Sequence, residues 1–153
     1  QIQIFESHIE ASKKFDLPLI IHQRNSEDDI IAILKKYKSN NLKIVFHCFT
    51  GSKTLLNFCL NNNYYISLSG IVTFKNAYDL RNVIENVSMD HLLIETDSPY
   101  LAPIPMRGKD NEPSFVRFTA NYLAEFYSMT VDEFVRLTNN NFYKLFSRVK
   151  KDN

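Results

Sequence analysis

The sequence predicts an α/β protein built on a parallel β-sheet, and two observations support this prediction. Four short apolar runs rich in β-branched residues alternate strictly with helical stretches, which is the pattern of parallel strands joined by right-handed helical crossovers. The runs are almost continuously apolar, as expected for strands buried on both faces. An open doubly wound sheet and half of a (β/α)8 barrel both satisfy this pattern.

The predicted elements follow one another in a regular order. Apolar residues at helical spacing predict helices in six places, at residues 1–15, 27–38, 52–62 and 76–87, after Pro113, and at about 131–148. The strands between them are predicted at Leu19–Ile21 running into His22, Ile44–Phe46 ending at His47, Tyr64–Leu68, and Leu92–Ile94 leading into Glu95-Thr96-Asp97. A polar loop from Pro99 to Pro113 holds four of the five prolines. Long loops of this kind beside a candidate site are often functional.

The length of 153 residues is sufficient for one domain with a core. No linker or repeat interrupts the pattern, so residues 1–153 are predicted to form a single domain. The chain opens at Gln1 inside a predicted helix, and we therefore expect a fragment of a longer protein or a truncated form. A net charge of +1 gives no general reason to expect nucleic-acid binding, so any such contact must come from a local patch.

The two cysteines, Cys48 and Cys59, are too few for a disulfide framework and lack a CxxC spacing. Two buried thiols in a reducing compartment are the expectation. No apolar stretch approaches the roughly 20 residues of a membrane span, and no signal-peptide pattern is visible. We therefore expect a cytoplasmic protein without membrane association.

Three of the four predicted strands end in a residue that can bind a metal, namely His22, His47 and Asp97. The carboxyl ends of parallel strands lie at one edge of a sheet, so these side chains are expected to converge there. Imidazole and carboxylate ligands suit Zn, Mn, Mg or Fe. A structural histidine and a turn-capping aspartate are the alternatives for the individual residues, and the pattern alone leaves both interpretations open.

Six segments extend this picture beyond spacing. They are, in order, LPLIIHQR, HCFTG, ISLSGIVTFK, LLIETDSPYLAP, RGKDNEP and TNNNFYKLF, and together they resemble the TatD family of metal-dependent hydrolases. The resemblance implies a TIM-type (β/α)8 barrel of the metal-dependent hydrolase superfamily, represented here by its second half, strands five to eight. It also implies divalent-metal-dependent cleavage of phosphodiester bonds, usually as a deoxyribonuclease acting on DNA.

The resemblance also assigns roles to residues. His22 and His47 would hold one metal of a two-metal centre, with Zn, Mg or Mn as the ions. Asp97 would bind the other metal and orient or deprotonate the attacking water. The family's H-x-H pair and bridging glutamate have no counterpart in this sequence. Glu95 belongs to the ETD motif and is not that bridging residue; we expect it to be a buried polar group that bonds to the rim.

Four polar residues are candidate contacts to a phosphate. Arg24 lies two residues after His22, on the same side of an extended strand, where it is either a charged fork for a phosphate or a structural ion pair. Arg107, Lys109 and Asn111 lie in the proline-rich loop and are candidate contacts to the DNA backbone, with plain solvation as the alternative.

The other aromatic and histidine residues near the strands are predicted to have structural roles. For Phe49, Phe74 and Tyr100, core packing is preferred over stacking on bases. His8 lies on the opening helix and His91 precedes the last strand, so both are predicted not to be ligands.

Three functions remain in competition at this point. The first is a nuclease acting on DNA, and the second is a hydrolase of amide, ester or lactone bonds from the same superfamily. The third is an inactive truncated fragment, which the missing ligands favour. The positive charges of Arg24, Arg107 and Lys109 suit a phosphate better than a neutral amide.

Overall fold

The computed structural model describes residues 1–37 and 42–150. In this part of the chain, four strands form one parallel sheet in the order β1-β2-β3-β4. Their bounds are β1 Leu19–His22, β2 Ile44–His47, β3 Tyr65–Leu68 and β4 Leu92–Ile94. The predicted parallel α/β sheet is therefore confirmed, and each strand lies within one residue of its predicted position.

Six α-helices accompany the strands in the described residues. They are α1 Ile2–Phe15, α2 Glu27–Lys36, α3 Lys53–Asn61, α4 Tyr78–Ile84, α5 Val116–Phe126 and α6 Val131–Leu145. The helix predicted at 76–87 is shorter than expected, because Ala77 at its start offers no side-chain cap for the first amide groups. The predicted end of the second helix at residue 38 lies outside the described residues.

The larger of the two apolar clusters joins the helices to one face of the sheet, and this favours one of the two architectures. Outward-facing strand residues form one core cluster with apolar residues from all six helices; the strand members are Leu19, Ile21, Ile44, Phe46, Ile66, Leu68 and Leu92. A doubly wound sheet would have helices on both faces, whereas a barrel wall carries them outside only. The layout is therefore that of a barrel wall.

The opposite, inner face of the sheet is less densely covered. Val45 and Leu93 pack there against Leu145 at the end of α6, while Ile20 of β1 remains 60% exposed. Because side chains alternate along a strand, the residues that follow Ile20 and Val45 by two positions also face this side. His22 and His47, at the ends of β1 and β2, therefore lie on this inner face.

The loop that follows β4 is fastened to the turn after β3. The backbone nitrogen of Ile104 donates to Oγ1 of Thr73 at 2.9 Å. A Cβ atom placed on Gly70 would lie 2.2 Å from the carbonyl oxygen of Leu101, so this close approach of two backbones requires glycine. The loop is thus held over the carboxyl edge of the sheet.

Cys48 and Cys59 are buried free thiols, as predicted. Burial raises the pKa of Cys48 to about 11 and the pKa of Cys59 to about 12, so both are neutral near pH 7. No helix in the described residues combines the length and the apolar character needed to cross a bilayer.

Candidate metal centre

The ends of β1 and β2 place two histidines side by side. His22 and His47 are partners in the register of the parallel pair, and their ring centroids lie 5.7 Å apart. His22 is exposed, whereas His47 is partly buried. Their position follows from the apolar runs that end at equivalent points in the sequence.

His47 lies between two carboxylates. Its Nδ1 atom is 2.7 Å from Oε1 of Glu95, and its Nε2 atom is 3.3 Å from Oδ1 of Asp97. One ligand atom from each of these three residues lies within 4.8 Å of the others. Asp97 reaches this position from just beyond β4, in a left-handed backbone conformation with φ 59°.

The structure gives Glu95 a more central place than the sequence analysis did. We expected a buried polar group at the rim; Glu95 is only partly buried, with an inaccessible Oε1 atom, and it is also a member of the cluster with His47 and Asp97. The signal in the sequence was the two-residue alternation of β-strands: Glu95 follows Leu93 by two positions, as His47 follows Val45.

The three clustered residues fit a divalent cation. Oε1 of Glu95 is buried, and the polar atom that faces it among the described residues is Nδ1 of His47 at 2.7 Å. A carboxylate oxygen buried with so few partners is costly, and a cation at the other side of the His47 ring would lessen that cost through its positive charge. Imidazole with carboxylates is also a usual ligand set for Zn or Mn.

His22 stands outside the compact group within 4.8 Å. The predicted trio of His22, His47 and Asp97 is therefore brought to one mouth of the sheet, but its tightest part is His47 with Asp97 and Glu95. His22 can approach a shared ion from the neighbouring strand, since its ring already contacts that of His47.

The three predicted basic residues are exposed near this edge. Arg24 borders a polar depression of about 580 Å³ at the start of α2. The guanidinium carbon of Arg107 lies 3.8 Å from the centroid of the Phe74 ring, so this arginine is held flat against an aromatic surface. Lys109 is exposed in the same loop.

The prediction that Asn111 contacts a phosphate needs correction. Asn111 is only 5% exposed, and its Nδ2 atom donates to the carbonyl oxygens of Thr96 at 2.7 Å and Tyr100 at 2.6 Å. An amide nitrogen has two hydrogens, and both are used by the main chain. Asn111 therefore serves the loop and has no donor left for a ligand.

The remaining predictions divide between right and wrong. Phe49 is a core residue with 3% exposure, as predicted, whereas Tyr100 is 70% exposed and does not pack in the core. His8 bonds to the carbonyl of Ile4 within α1. His91 lies in the 3₁₀ turn just before β4, away from the carboxyl edge, in agreement with its predicted non-ligand role.

A cavity of about 500 Å³ lies against the inner face of the sheet and extends to the cluster. Strand residues form one wall and residues of α5 and α6 the other; the strand side includes Ile20, Val45, Ser67, Leu93, His47 and Glu95. Its lining is mostly apolar, and its polar end is the candidate metal centre.

A barrel-wall sheet with histidine and carboxylate side chains gathered at its carboxyl edge is typical of barrel-type metal-dependent hydrolases. Comparison with known sequences identifies the family within that class. A profile of the family described as TatD related DNase matches residues 1–147, and the chain belongs to this TatD family.

Individual relatives agree with this assignment. The chain is 42% identical over 146 residues to the uncharacterized metal-dependent hydrolase YabD of Bacillus subtilis, covering 95% of this chain and 57% of YabD. It is 43% identical over 146 residues to the uncharacterized metal-dependent hydrolase YcfH of Escherichia coli K12, covering 95% and 55%. It also resembles the crystal structure of YJJV, a TatD homologue from Escherichia coli K12, with a TM-score of 0.85 at 28% identity over 94% of this chain and 55% of YJJV. The chain thus spans about half the length of the curated relatives it matches.

Proposed function

We propose that this chain carries part of the active site of a divalent-cation-dependent deoxyribonuclease. The observation that supports the proposal best is the group of His47, Glu95 and Asp97, whose ligand atoms lie within 4.8 Å of one another. The description of the matching family, TatD related DNase, names the corresponding reaction. DNA is therefore the proposed substrate, and a phosphodiester is the proposed scissile bond.

In this proposal His22, His47 and Asp97 hold the cations, and a complete site holds two of them, with Zn, Mg and Mn as candidates. When bound, the cations would supply Lewis acidity toward a phosphoryl oxygen and lower the pKa of the attacking water. Asp97 is the proposed catalytic residue, because its carboxylate can orient that water and accept its proton.

Glu95 would act on the orientation of His47. A histidine that binds a cation is neutral and carries its hydrogen on the ring nitrogen that faces away from the metal. Nδ1 of His47 faces Oε1 of Glu95 at 2.7 Å. The tautomer with hydrogen on Nδ1 therefore leaves Nε2, on the side of Asp97, as the ligand atom.

Arg24, Arg107 and Lys109 are the proposed contacts to phosphate groups of the substrate. All three are exposed. A guanidinium group can donate two parallel hydrogen bonds to two oxygens of one phosphate. With a net charge of only +1 over the whole chain, this local group is the source of attraction for DNA. Its charge favours a phosphodiester over the neutral amide, ester or lactone bonds of the alternative hydrolase.

We further propose a cytoplasmic location, because both cysteines are free thiols and a reducing compartment keeps them so.

The test is cation binding together with DNA cleavage. The chain is freed of metal, titrated with Mn²⁺ by calorimetry, and then incubated with end-labelled single- and double-stranded DNA with and without chelator. We expect measurable Mn²⁺ binding and weak or no hydrolysis by residues 1–153 alone, since the chain covers 55–57% of its relatives. Parallel assays with an ester and a lactone test the alternative reaction.

Asp97→Ala provides the control. Mn²⁺ binding that is lost in this variant supports the proposed centre, whereas unchanged binding would refute the role of Asp97. Chelator-sensitive hydrolysis of the ester or lactone but not of DNA would replace the deoxyribonuclease proposal with the alternative one.

A further inference from the structure

Asn111 makes three hydrogen bonds to a short stretch of backbone far from it in sequence. Its Nδ2 atom donates to the carbonyls of Thr96, 15 residues away, and of Tyr100. Its own backbone nitrogen donates to the carbonyl of Pro99 at 2.9 Å. The three acceptors lie on both sides of Asp97, so Asn111 encloses the turn that carries this aspartate.

The turn at Asp97 needs such support. Asp97 has φ 59°, a left-handed conformation that is less favourable than the usual ones for residues other than glycine, although aspartate tolerates it better than most. Its local hydrogen bonds are few: the nitrogen of Tyr100 donates to the carbonyl of Asp97 at 3.0 Å, and the nitrogen of Ser98 makes a long 3.4 Å contact to Oγ1 of Thr96. The Asn111 amide supplies the two shortest bonds of this segment.

The Nδ2 atom of Asn111 acts on the backbone and not on a ligand, while its buried Oδ1 has no hydrogen-bond partner among the described residues. Both hydrogens of Nδ2 are used by carbonyls, so the amide has none left for the Asp97 carboxylate or a phosphate. We propose that Asn111 is a positioning residue, which fixes the turn at Asp97 so that Oδ1 of Asp97 stays beside Nε2 of His47. The consequence for cation binding rests on the proposed function, whereas the positioning itself does not.

A second buried asparagine provides a matched control. Asn141 of α6 is 1% exposed, and its Nδ2 atom likewise donates to two carbonyls, those of Met89 at 2.7 Å and Leu92 at 2.9 Å. These carbonyls flank the start of β4, whereas those bound by Asn111 follow its end. The two residues therefore make the same kind of contact at opposite ends of one strand.

The experiment compares Asn111→Leu with Asn141→Leu, since leucine has the same branched heavy-atom skeleton as asparagine and lacks both donors. The first readout, without cation and at fixed pH, is the side-chain ¹⁵N resonances of His47. We expect them to move in Asn111→Leu toward their positions in Asp97→Asn, and to stay in place in Asn141→Leu. The second readout is Mn²⁺ affinity, which should fall about tenfold or more in Asn111→Leu, as for other supporting residues of metal sites.

Every outcome decides the proposal. Unchanged His47 resonances in Asn111→Leu overturn the positioning role, as does an equal shift in Asn141→Leu. If the wild-type chain binds no Mn²⁺, the proposed function fails, but the His47 resonances still decide the role of Asn111. If Asn111→Leu does not fold, Asn111→Ser, which leaves room for water at the two carbonyls, is used with the same readouts, and wild-type behaviour of that variant overturns the inference.

Discussion

Two groups of turns in this molecule share one backbone conformation but are held in different ways. Left-handed residues that follow helices are Asp16, Asn63 and Ser128, and those that follow strands or lie in the loop after β4 are Asn25, Cys48, Asp97 and Leu101. The first group belongs to ordinary helix ends, where a left-handed residue closes the last turn. The second group surrounds the candidate metal centre.

The difference lies in the distance over which each turn is stabilised. Asp16 and Ser128 donate backbone hydrogen bonds to carbonyls three residues earlier, those of Lys13 and Glu125. Asp97, in contrast, is bracketed by an amide 15 residues away from Thr96. The backbone of these helix-end turns is therefore closed by local hydrogen bonds, whereas the turn at the centre depends on a distant loop and should transmit substitutions in that loop to the site.

Replacing an aspartate by asparagine in each group of turns should give the largest difference in Mn²⁺ affinity between the two groups. Asparagine keeps the shape of aspartate and tolerates φ above zero, so Asp97→Asn removes only the charge beside His47. We expect Mn²⁺ affinity to fall about tenfold or more, because the variant loses the negative charge of a proposed ligand. Mn²⁺ titration of the variant by calorimetry measures this loss.

Asp16→Asn is the control for that experiment. Asp16 pairs with Lys43 at 3.0 Å on the surface, and such a pair contributes about 1 kcal/mol or less. Mn²⁺ affinity should be unchanged in this variant. A drop in affinity in Asp16→Asn similar to that in Asp97→Asn would contradict the distinction between the two groups of turns.

Glu95→Gln should change stability and cation affinity in opposite directions. Without cation, the change removes the negative charge of a carboxylate whose buried Oε1 faces only Nδ1 of His47 among the described residues, so the melting temperature should rise by a few degrees, corresponding to about 1 kcal/mol. With Mn²⁺ the affinity should fall by roughly ten- to a hundredfold. Calorimetric melting with and without Mn²⁺ measures both effects.

Glu27→Gln is the matched variant, because the Glu27 carboxylate is well satisfied. It accepts hydrogen bonds from the nitrogen and Oγ of Ser52 at 2.8 and 2.5 Å. Its replacement should lower the free energy of unfolding by about 1 kcal/mol and leave Mn²⁺ affinity intact. A rise in melting temperature in Glu27→Gln, or a fall in cation-free Glu95→Gln, would run against this interpretation.

Gly70→Ala tests whether the loop after β4 depends on its contact with the turn after β3. The added Cβ would meet the Leu101 carbonyl at 2.2 Å, so we expect a loss of about 1–3 kcal/mol in the free energy of unfolding, as for other overpacked sites. Urea unfolding of the variant measures this loss, and Mn²⁺ affinity should decrease with it because the loop also carries Asn111.

Gly108→Ala lies in the same loop and serves as the comparison. A Cβ there would meet no atom within 4 Å, and only the left-handed φ of 89° is unfavourable. The expected cost is about 1 kcal/mol, without a change in Mn²⁺ affinity. Equal losses in the free energy of unfolding in the two glycine variants would mean that the loop can move away at Leu101 without an energetic penalty.

The sequence predicted what depends on local pattern and missed what depends on distant partners. Apolar runs ending at His22 and His47 fixed two strand ends, because burial on one face and adjacency in a parallel sheet follow from periodicity alone. The role of Asn111 did not follow, because the carbonyls that its amide binds belong to a segment defined only by tertiary structure.

Glu95 and Tyr100 show which features of a side chain the local sequence could predict and which it could not. The alternation along β4 was available in the sequence and would have placed Glu95 on the same face of the sheet as Leu93, but not its contact with His47. No local pattern predicts that Tyr100 is 70% exposed, since its exposure follows from the loop folding back onto the turn after β3. Strand ends could therefore be located from the sequence, but not the groups that hold them in place.

Arg107→Ala should have the smallest effect on stability and a specific effect on DNA binding. Arg107 stacks on Phe74, and an exposed cation–π contact contributes about 0.5–1 kcal/mol. If Arg107 binds a phosphate, the dependence of DNA affinity on log salt should become shallower by about one unit of slope. Lys14→Ala removes a longer contact, 5.5 Å to the centroid of the Phe15 ring on α1, which belongs to none of the proposed phosphate contacts; it should change stability by no more than Arg107→Ala and leave the salt slope alone. If the salt dependence of DNA affinity is the same in wild type and Arg107→Ala, Arg107 only stabilises the loop. Arg24 and Lys109 would then be the remaining proposed phosphate contacts.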